Sequence, residues 1–517
     1  MKKIINFFFI IYWLLPFVLG ILTAFSLPPY NFVIINFITF PFLLFIIFEL
    51  RKEKKKIISF FQVGWLYGFG YFLSNLYWIT YSLTHDKAFK IFIPIALFLI
   101  PAFLAIFYGI FVSLLFKINI NKRLTSILIF SIFFSVIEFI RGNILSGFPW
   151  NLISFSWIAS INFIQILSLI GTYSFNLISI TIFSLPFIFI FKKLKKTQIS
   201  VLFILLTIIS TNYFYGVNVI NKSNKKSLET LNYNIKIISP KISIDKYIHD
   251  IDNEHILNDL IKLSNPNDNL PTIFVWPEGA LSGIYFDELK NYSEIFSKNF
   301  SDNHIIIMGI STRSLKDKEI YNSMVVINNK LDLINKYNKN KLVPFGEFLP
   351  FENFFNSLGF KKITYGYESF SNGKKRDLIS INNSEYKIQF LPLICYEIIY
   401  SGFINSNKEN FDLIINISED GWFGNSIGPD QHFSHSIFRA IEEGKNIIRS
   451  ANNGISAYIS SNGEIINRIE STQRGVIKIN KLHISKNTFF SEVGNKMFFY
   501  FIIFYITLIF FINKKES

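Results

Sequence analysis

The 517-residue chain contains a single cysteine, Cys395, at the end of the apolar run "KIQFLPLIC" (387–395) and directly before Tyr396-Glu397. One thiol excludes an internal disulfide and any CxxC metal or redox pair. Two readings remain for it, a small buried apolar residue or a nucleophile. A thiol at a strand end, followed by a turn, can use the next backbone N–H to bind an oxyanion. It ionises readily only beside a cation or base that lowers its pKa. Two other segments carry such partners. In "VWPEGALSG", Glu278 follows the run "TIFVW" (272–276) and Pro277 fixes the exit, so the carboxylate sits at the rim of a sheet or in the first turn of a helix, where it favours the dipole. In "YNKNKLVPFGEFLPF", Lys339 and Glu347 lie eight residues apart in a segment that Pro344, Gly346 and Pro350 keep out of helix. Exposed lysines are commonplace, but Val343, Phe345, Phe348, Leu349 and Phe351 make this loop strongly apolar, which a solvated surface does not explain. A Lys and a Glu converging on Cys395 would supply an electrostatic partner and a proton acceptor.

The elements that must position these residues read as α/β. Short apolar, β-branched runs recur at 272–276, 304–310, 322–328, 387–395, 412–418 and 456–461, with helix-like segments at 284–299 and 430–446 between some of them. Runs of this kind suit strands buried in a layered sandwich. Asn462-Gly463, between "AYISS" and "EIINRI", predicts a hairpin turn. Residues 216–496 are ample for one independent core, and the Lys/Asn-rich stretch 221–226 reads as a solvated linker. Trp422 and Phe423, in a Gly-bounded loop, are either packed loop aromatics or arms that dip into a bilayer. His432 and His435, at i and i+3 without further His or Cys nearby, read as one helical face and not as a metal site.

The rest of the chain is a different material. Half of all residues are hydrophobic and the mean hydropathy is +0.36, with the apolar share gathered in long, nearly charge-free runs. A transmembrane helix needs about 20 such residues. Candidate spans lie near 4–25, 32–50, 57–80, 91–116, 124–141, 161–191, 199–215 and 497–512; the sixth is too long for one straight span and contains Pro186. The formal charge of +15 is concentrated here: residues 1–215 hold 17 basic residues against Glu49, Glu53, Asp86 and Glu138. Basic clusters at Lys2-Lys3, Arg51–Lys56, Lys117/Lys122/Arg123, Lys192–Lys196 and Lys514-Lys515 all fall on one side of an eight-span topology. Positive-inside then puts both termini in the cytoplasm and residues 216–496 outside. The excess charge orients helices, so nucleic-acid binding is not expected. Glu138 and Arg141, three apart on one face of the fifth span, read as a structural or headgroup-anchoring ion pair, and Trp150 and Trp157 as an interfacial belt. The expected domains are a bundle at 1–215, a catalytic domain at 216–496 and a closing span with its tail at 497–517.

Glu278, Lys339 and Cys395, in that order and in "WPE", "NK…PFGE" and "CYE" contexts, resemble the Glu-Lys-Cys triad of the nitrilase superfamily, whose fold is an αββα sandwich. "SEDGWFGNSIGPDQHFSHSIFRAIEEGKNIIRSANNGISAYISSNG" extends the resemblance to residue 463. Seven preceding spans, this domain and one closing span, together with "LVPFGEFLP", "GWFGNSIGPDQH" and "IRGNILSGFPW", resemble the apolipoprotein N-acyltransferase family over essentially the whole chain. One departure stands in "IKIISPKISIDKY", where Ser239 and Tyr247 are nearest the places at which such domains often carry a Gln and a Trp; if that Trp contacts lipid in relatives, Tyr247 would take its part. The resemblance implies an N-acyltransferase of the bacterial inner membrane, with its catalytic domain periplasmic. Its donor would be a phospholipid, typically phosphatidylethanolamine, and its acceptor the α-amine of a diacylglyceryl-cysteine apolipoprotein. No cofactor or metal is implied. Cys395 would carry the acyl chain as a thioester, Glu278 would act as base, and Lys339 with the Tyr396 N–H would hold the oxyanion. Glu347 would orient Lys339 or the acceptor amine, Glu397 would support the pocket, and Trp422 would lie near substrate. A membrane-tethered amidohydrolase would use the same triad with water as acceptor, and a transporter or sensor with a ligand-binding outer domain would not depend on Cys395.

Overall fold

The computed structural model describes the chain except for residues 1–9, 118–122, 191–195, 226–227, 248–251, 268–269, 315–318, 351–368, 406 and 517. It divides into two units: residues 1–80, 92–221 and 492–517 form the first, and residues 81–91 with 222–491 form the second.

Among the described residues of the chain, seven helices are long and apolar enough to cross a membrane, at Val33–Lys52, Ile57–Thr84, Lys90–Leu114, Leu124–Asn143, Leu167–Phe189, Phe203–Ser223 and Lys496–Lys514. The first expected span is represented by the shorter apolar helix Ile10–Ala24, and its remaining residues lie outside the described ones, as do Lys2, Lys3 and Lys122. The long run at 161–191 is broken: a short helix Ile161–Ile164 precedes Leu167–Ser184, Gly171 is non-helical inside the latter, and Leu185–Ile190, with Pro186, is a 3₁₀ turn. Glu138 and Arg141 are buried in protein and not at headgroups. Arg141 Nη2 lies 3.3 Å from Glu138 Oε1, and that carboxylate also accepts from Tyr108 Oη and Asn176 Nδ2, both at 2.7 Å. Arg141 Nη1 donates to the Phe148 carbonyl at 2.5 Å, which ties down the loop after its helix. Trp150, expected at an interface, is buried against Trp78 and Phe148.

The second unit is built on two six-stranded sheets. The first joins β1 (Glu229–Ser239), β2 (Thr272–Val275), β3 (His304–Ser314), β4 (Glu319–Ile327), β5 (Leu333–Asn338) and β12 (Gly475–Leu482) in the order β12-β1-β2-β3-β4-β5. The second joins β6 (Ile379–Asn382), β7 (Lys387–Ile394), β8 (Leu413–Glu419), β9 (Asn446–Asn452), β10 (Ser456–Ile459) and β11 (Ile465–Ile469) in the order β11-β10-β9-β8-β7-β6. The central strands β1, β2 and β3 run parallel, as do β7, β8 and β9. Helices α1 (Asn253–Ser264) and α2 (Ser293–Asn299) cover the first sheet through Leu257, Leu260, Phe296 and Phe300 against Phe274, Trp276, Ile306 and Met308. Helix α3 (Gly428–Glu443) covers the second, and the sheets face each other, giving an αββα sandwich. Burying both faces of the parallel strands explains their near-continuous apolar sequences.

Two local outcomes differ from the sequence expectation. The segment 284–299 is helical only from Glu288, first as a 3₁₀ turn and then as α2. The helix expected at 430–446 stops at Glu443, because Gly444 takes a left-handed conformation (φ +64°) that caps it, and the chain re-enters the sheet as β9 two residues later. The Asn462-Gly463 hairpin between β10 and β11 forms as expected.

Candidate active site

Cys395 follows β7 as the first residue of a 3₁₀ turn, Cys395–Ile399. Its φ of +50° lies in the left-handed region, which costs a non-glycine residue about 1–3 kcal/mol and persists only where the surroundings over-determine it. Burial pushes the thiol well above its usual pKa, the Glu278 carboxylate adds to the shift, and the Lys339 ammonium opposes it. A thiol held in this way would need a base to take its proton before it could act as a nucleophile.

Glu278 leaves β2 in a turn and is not helical. Its backbone lies so close to β3 that a Cβ on Gly309 would come within 2.5 Å of the Glu278 Cα, so only glycine fits there. Glu278 Oε1 accepts from Lys339 Nζ at 3.3 Å and from Asn322 Nδ2 at 2.7 Å, while Oε2 accepts from the Glu419 N–H at 2.9 Å. Lys339 sits one residue beyond β5, with its N–H on the Asn322 carbonyl at 2.8 Å. Its ammonium is 1% exposed and also reaches Glu347 Oε1 at 2.9 Å. Burial works against that charge, but the Glu278 and Glu347 carboxylates outweigh it and hold the Lys339 pKa well above the usual range. Glu347 Oε2 accepts from the Val343 N–H at 2.8 Å, so the same carboxylate that holds the ammonium also closes the apolar loop. Phe345 and Leu349 of that loop are exposed and buried respectively; Phe351 lies outside the described residues.

Glu397 ties the cysteine and lysine segments together. Its Oε1 accepts from Tyr337 Oη at 2.6 Å, Arg376 Nη2 at 2.7 Å, and the backbone N–H groups of Asn340 and Lys341 at 2.9 and 3.1 Å. Its Oε2 accepts from the Ile394 N–H at 2.9 Å, immediately before Cys395. Burial alone would raise its pKa, but Arg376 and these donors hold it below the usual carboxylate value. Tyr396 is buried with its ring edge-on to Tyr400.

Trp422 stands apart from the ion-paired group. It is half-buried rather than an exposed arm, tilted on Tyr247 with ring centres 5.2 Å apart and edge-on to His85 at 5.9 Å. Tyr247 Oη in turn donates to the carbonyl of Gly279 at 3.1 Å, the residue after Glu278. His85 comes from the segment between two apolar helices, a contribution no local pattern signals.

Sequence reading missed Asn322, Arg376, Ser418, Asp420 and the engagement of His432. Asn322 donates one amide hydrogen to each of Glu278 and Glu347, both at 2.7 Å; its signal was a polar residue opening the apolar run 322–328. Among the described residues, Cys395, Asp420 and His432 bring potential metal-ligating atoms within 4.8 Å of one another. Those atoms are already engaged. Asp420 accepts from Ser418 Oγ at 2.6 Å and Arg449 Nη2 at 2.9 Å and meets His432 Nδ1 at 2.9 Å, so a cation there would have to displace a guanidinium.

Two family models match the chain. One described as the apolipoprotein N-acyltransferase N-terminal domain covers residues 19–185, and one described as carbon-nitrogen hydrolase covers residues 272–480. An apolipoprotein N-acyltransferase of Rickettsia prowazekii (strain Madrid E) is 33% identical over 504 residues, spanning 95% of this chain and 96% of that protein. One from Rhizobium leguminosarum bv. trifolii (strain WSM2304) is 31% identical over 487 residues, 90% and 89% of the two chains. Among solved structures, Saccharomyces cerevisiae Nit3, of the nitrilase superfamily, aligns over 48% of this chain and 90% of its own at 18% identity and a TM-score of 0.35.

Proposed function

Since the chain belongs to the apolipoprotein N-acyltransferase family, we propose that Cys395 carries a fatty acyl chain, as a thioester, from a phospholipid to the α-amine of a diacylglyceryl-cysteine apolipoprotein. The protein is a bacterial membrane protein and an N-acyltransferase. The observation that supports the mechanistic reading is a buried ammonium, Lys339, held by the Glu278 and Glu347 carboxylates in the same unit as the chain's one thiol, itself buried at the end of β7.

In the first half-reaction Cys395 Sγ attacks the sn-1 ester carbonyl of the donor, for which we take phosphatidylethanolamine, and Glu278 accepts the thiol proton. The oxyanion forms beside the Lys339 ammonium and the Tyr396 N–H, donors that do not reorganise during the step. Collapse breaks the ester C–O bond, the Glu278 proton passes to the departing lysophospholipid oxygen, and the thioester remains. In the second half-reaction the acceptor amine attacks the thioester carbonyl. With a pKa of roughly 7.7–8.0 it has a usable neutral fraction near pH 7. Glu278 takes the amine proton and returns it to the Cys395 sulfur as the C–S bond breaks. Asn322 and Glu347 keep Lys339 aimed, and Glu397 keeps the lysine and cysteine segments in register.

We place this chemistry on the periplasmic side of the inner membrane, with both termini cytoplasmic, because the basic clusters between apolar runs fall on one side of the topology. Mass spectrometry of the purified protein is expected to find an acyl adduct on Cys395, absent from Cys395→Ser. An adduct that persists in that variant would remove the nucleophile. Release of ammonia or free fatty acid, without transfer to a lipopeptide amine, would favour a hydrolase.

A further inference from the structure

The strained Cys395 backbone is restrained on both sides by different groups. On the N-terminal side Glu397 Oε2 holds the Ile394 N–H. On the other side the carbonyl of Cys395 lies 3.2 Å from His432 Nε2, contributed by α3 from 37 residues away. A carbonyl only accepts, so Nε2 carries a hydrogen. The opposite ring nitrogen, Nδ1, is flanked by an acceptor and a donor: Asp420 Oδ1 at 2.9 Å and Arg449 Nη2 at 3.1 Å. A protonated Nδ1 donates to the carboxylate, and an unprotonated Nδ1 accepts from the guanidinium. Burial pulls the His432 pKa below the usual imidazole value, so the neutral ring that donates from Nε2 to the Cys395 carbonyl accepts at Nδ1 from the Arg449 guanidinium. Asp420 and Arg449 are themselves locked by a 2.9 Å ion pair, by Ser418 Oγ on Asp420, and by Asn416 on Arg449, with His432, Asp420 and Arg449 all fully buried.

We propose that His432, set by Asp420 and Arg449, is a positioning residue that fixes the carbonyl of Cys395 and so aims its sulfur at the acyl carbonyl. The inference rests on Cys395 being the nucleophile. A buried histidine that merely filled space would need partners for its ring, but no bond to the nucleophile's own backbone. Misplacing a reacting atom by about 1 Å costs up to roughly a hundredfold in rate, so losing this bond is expected to slow thioester formation by about ten- to a hundredfold.

The test uses the full-length protein in detergent and two variants of similar size. In His432→Gln the amide nitrogen reaches the place of Nε2 and keeps a donor for the Cys395 carbonyl. In His432→Asn it sits at the place of Nδ1, keeps Asp420 and leaves that carbonyl without its donor. Acyl adduct on Cys395 is followed by mass spectrometry against phosphatidylethanolamine concentration, with melting temperature measured alongside. His432→Asn is expected to acylate about ten- to a hundredfold more slowly at saturating lipid, with the half-saturating concentration unchanged. His432→Gln is expected to stay within about threefold of the parent, and the two variants to melt alike. Parent-like acylation in His432→Asn, or equal slowing in both variants, overturns the proposal. An unacylated parent protein would instead overturn the reading of Cys395 as nucleophile, and the positioning role with it.

Discussion

Replacing Glu397 by Gln tests whether one carboxylate holds the cysteine and lysine segments together. Glu397 is fully buried and accepts five hydrogen bonds, four on Oε1 and one on Oε2. Glutamine keeps one oxygen. Its better orientation leaves that oxygen among the four donors and turns the amide NH₂ toward the Ile394 N–H, donor against donor. A buried unsatisfied N–H costs about 1–3 kcal/mol. The Arg376 guanidinium, 9% exposed, also loses its counter-charge while keeping a neutral acceptor. Removing one partner of a buried pair outright costs about 3–5 kcal/mol, and the retained hydrogen bond moves the variant to the lower end. A total of about 4–6 kcal/mol corresponds to a fall of roughly 8–24 °C in melting temperature for a domain of this size. The penalty has a pH signature. The native Glu397 pKa is depressed, so its stabilisation is present above the unfolded value of about 4.3 and is lost as pH falls through the native value. Glu397→Gln should therefore melt well below the parent at pH 7 and approach it on acidification. Scanning fluorimetry of the purified protein measures this, with Cys395 acylation followed in parallel. Tyr337→Phe, which removes one of the five donors, should cost only about 1–3 kcal/mol. A Glu397→Gln protein that melts within a degree of the parent at pH 7 and acylates normally would refute the reasoning.

Three further outcomes follow from the same geometry. Lys339→Met should slow acyl-enzyme formation by about 10²–10³-fold through loss of an oxyanion donor, measured as adduct per unit time; a loss under tenfold would remove Lys339 from that role. Asn322→Ala leaves the carboxylates of Glu278 and Glu347 without their shared amide donor, and should slow acylation by about ten- to a hundredfold, whereas rescue by Asn322→Gln, whose amide sits one methylene further out, is not expected. Glu443, at the end of α3, is pushed up to about 8 by burial and by the Glu442 carboxylate. Its contribution to stability is complete below the unfolded carboxylate pKa and fades as pH rises through about 8, so Glu443→Gln should flatten the decline in melting temperature between pH 5 and 8, and an unchanged slope would contradict this.

The candidate site was legible in the sequence where it depended on neighbours along the chain. Cys395 after an apolar strand, Glu278 after Pro277, and Lys339 with Glu347 across a proline-glycine loop all follow from runs and breakers a few residues long. So do the apolar helices, whose lengths answer to bilayer thickness. The hairpin at Asn462-Gly463 is equally local. Where one residue of unusual backbone geometry decided the outcome, the reading slipped: Gly444 ended α3 early and turned "NIIRSAN" into a central strand.

What only the folded chain decides is which distant polar groups meet. Asn322 reaches Glu278 across 44 residues, His432 reaches the carbonyl of Cys395 across 37, and Glu419 reaches Glu278 across 141. Those meetings are set by parallel strand order and by the stacking of two sheets, for which side-chain periodicity carries no address. Burial then gives them their force, since a carboxylate and an ammonium that would barely notice each other in water interact several-fold more strongly once solvent is excluded.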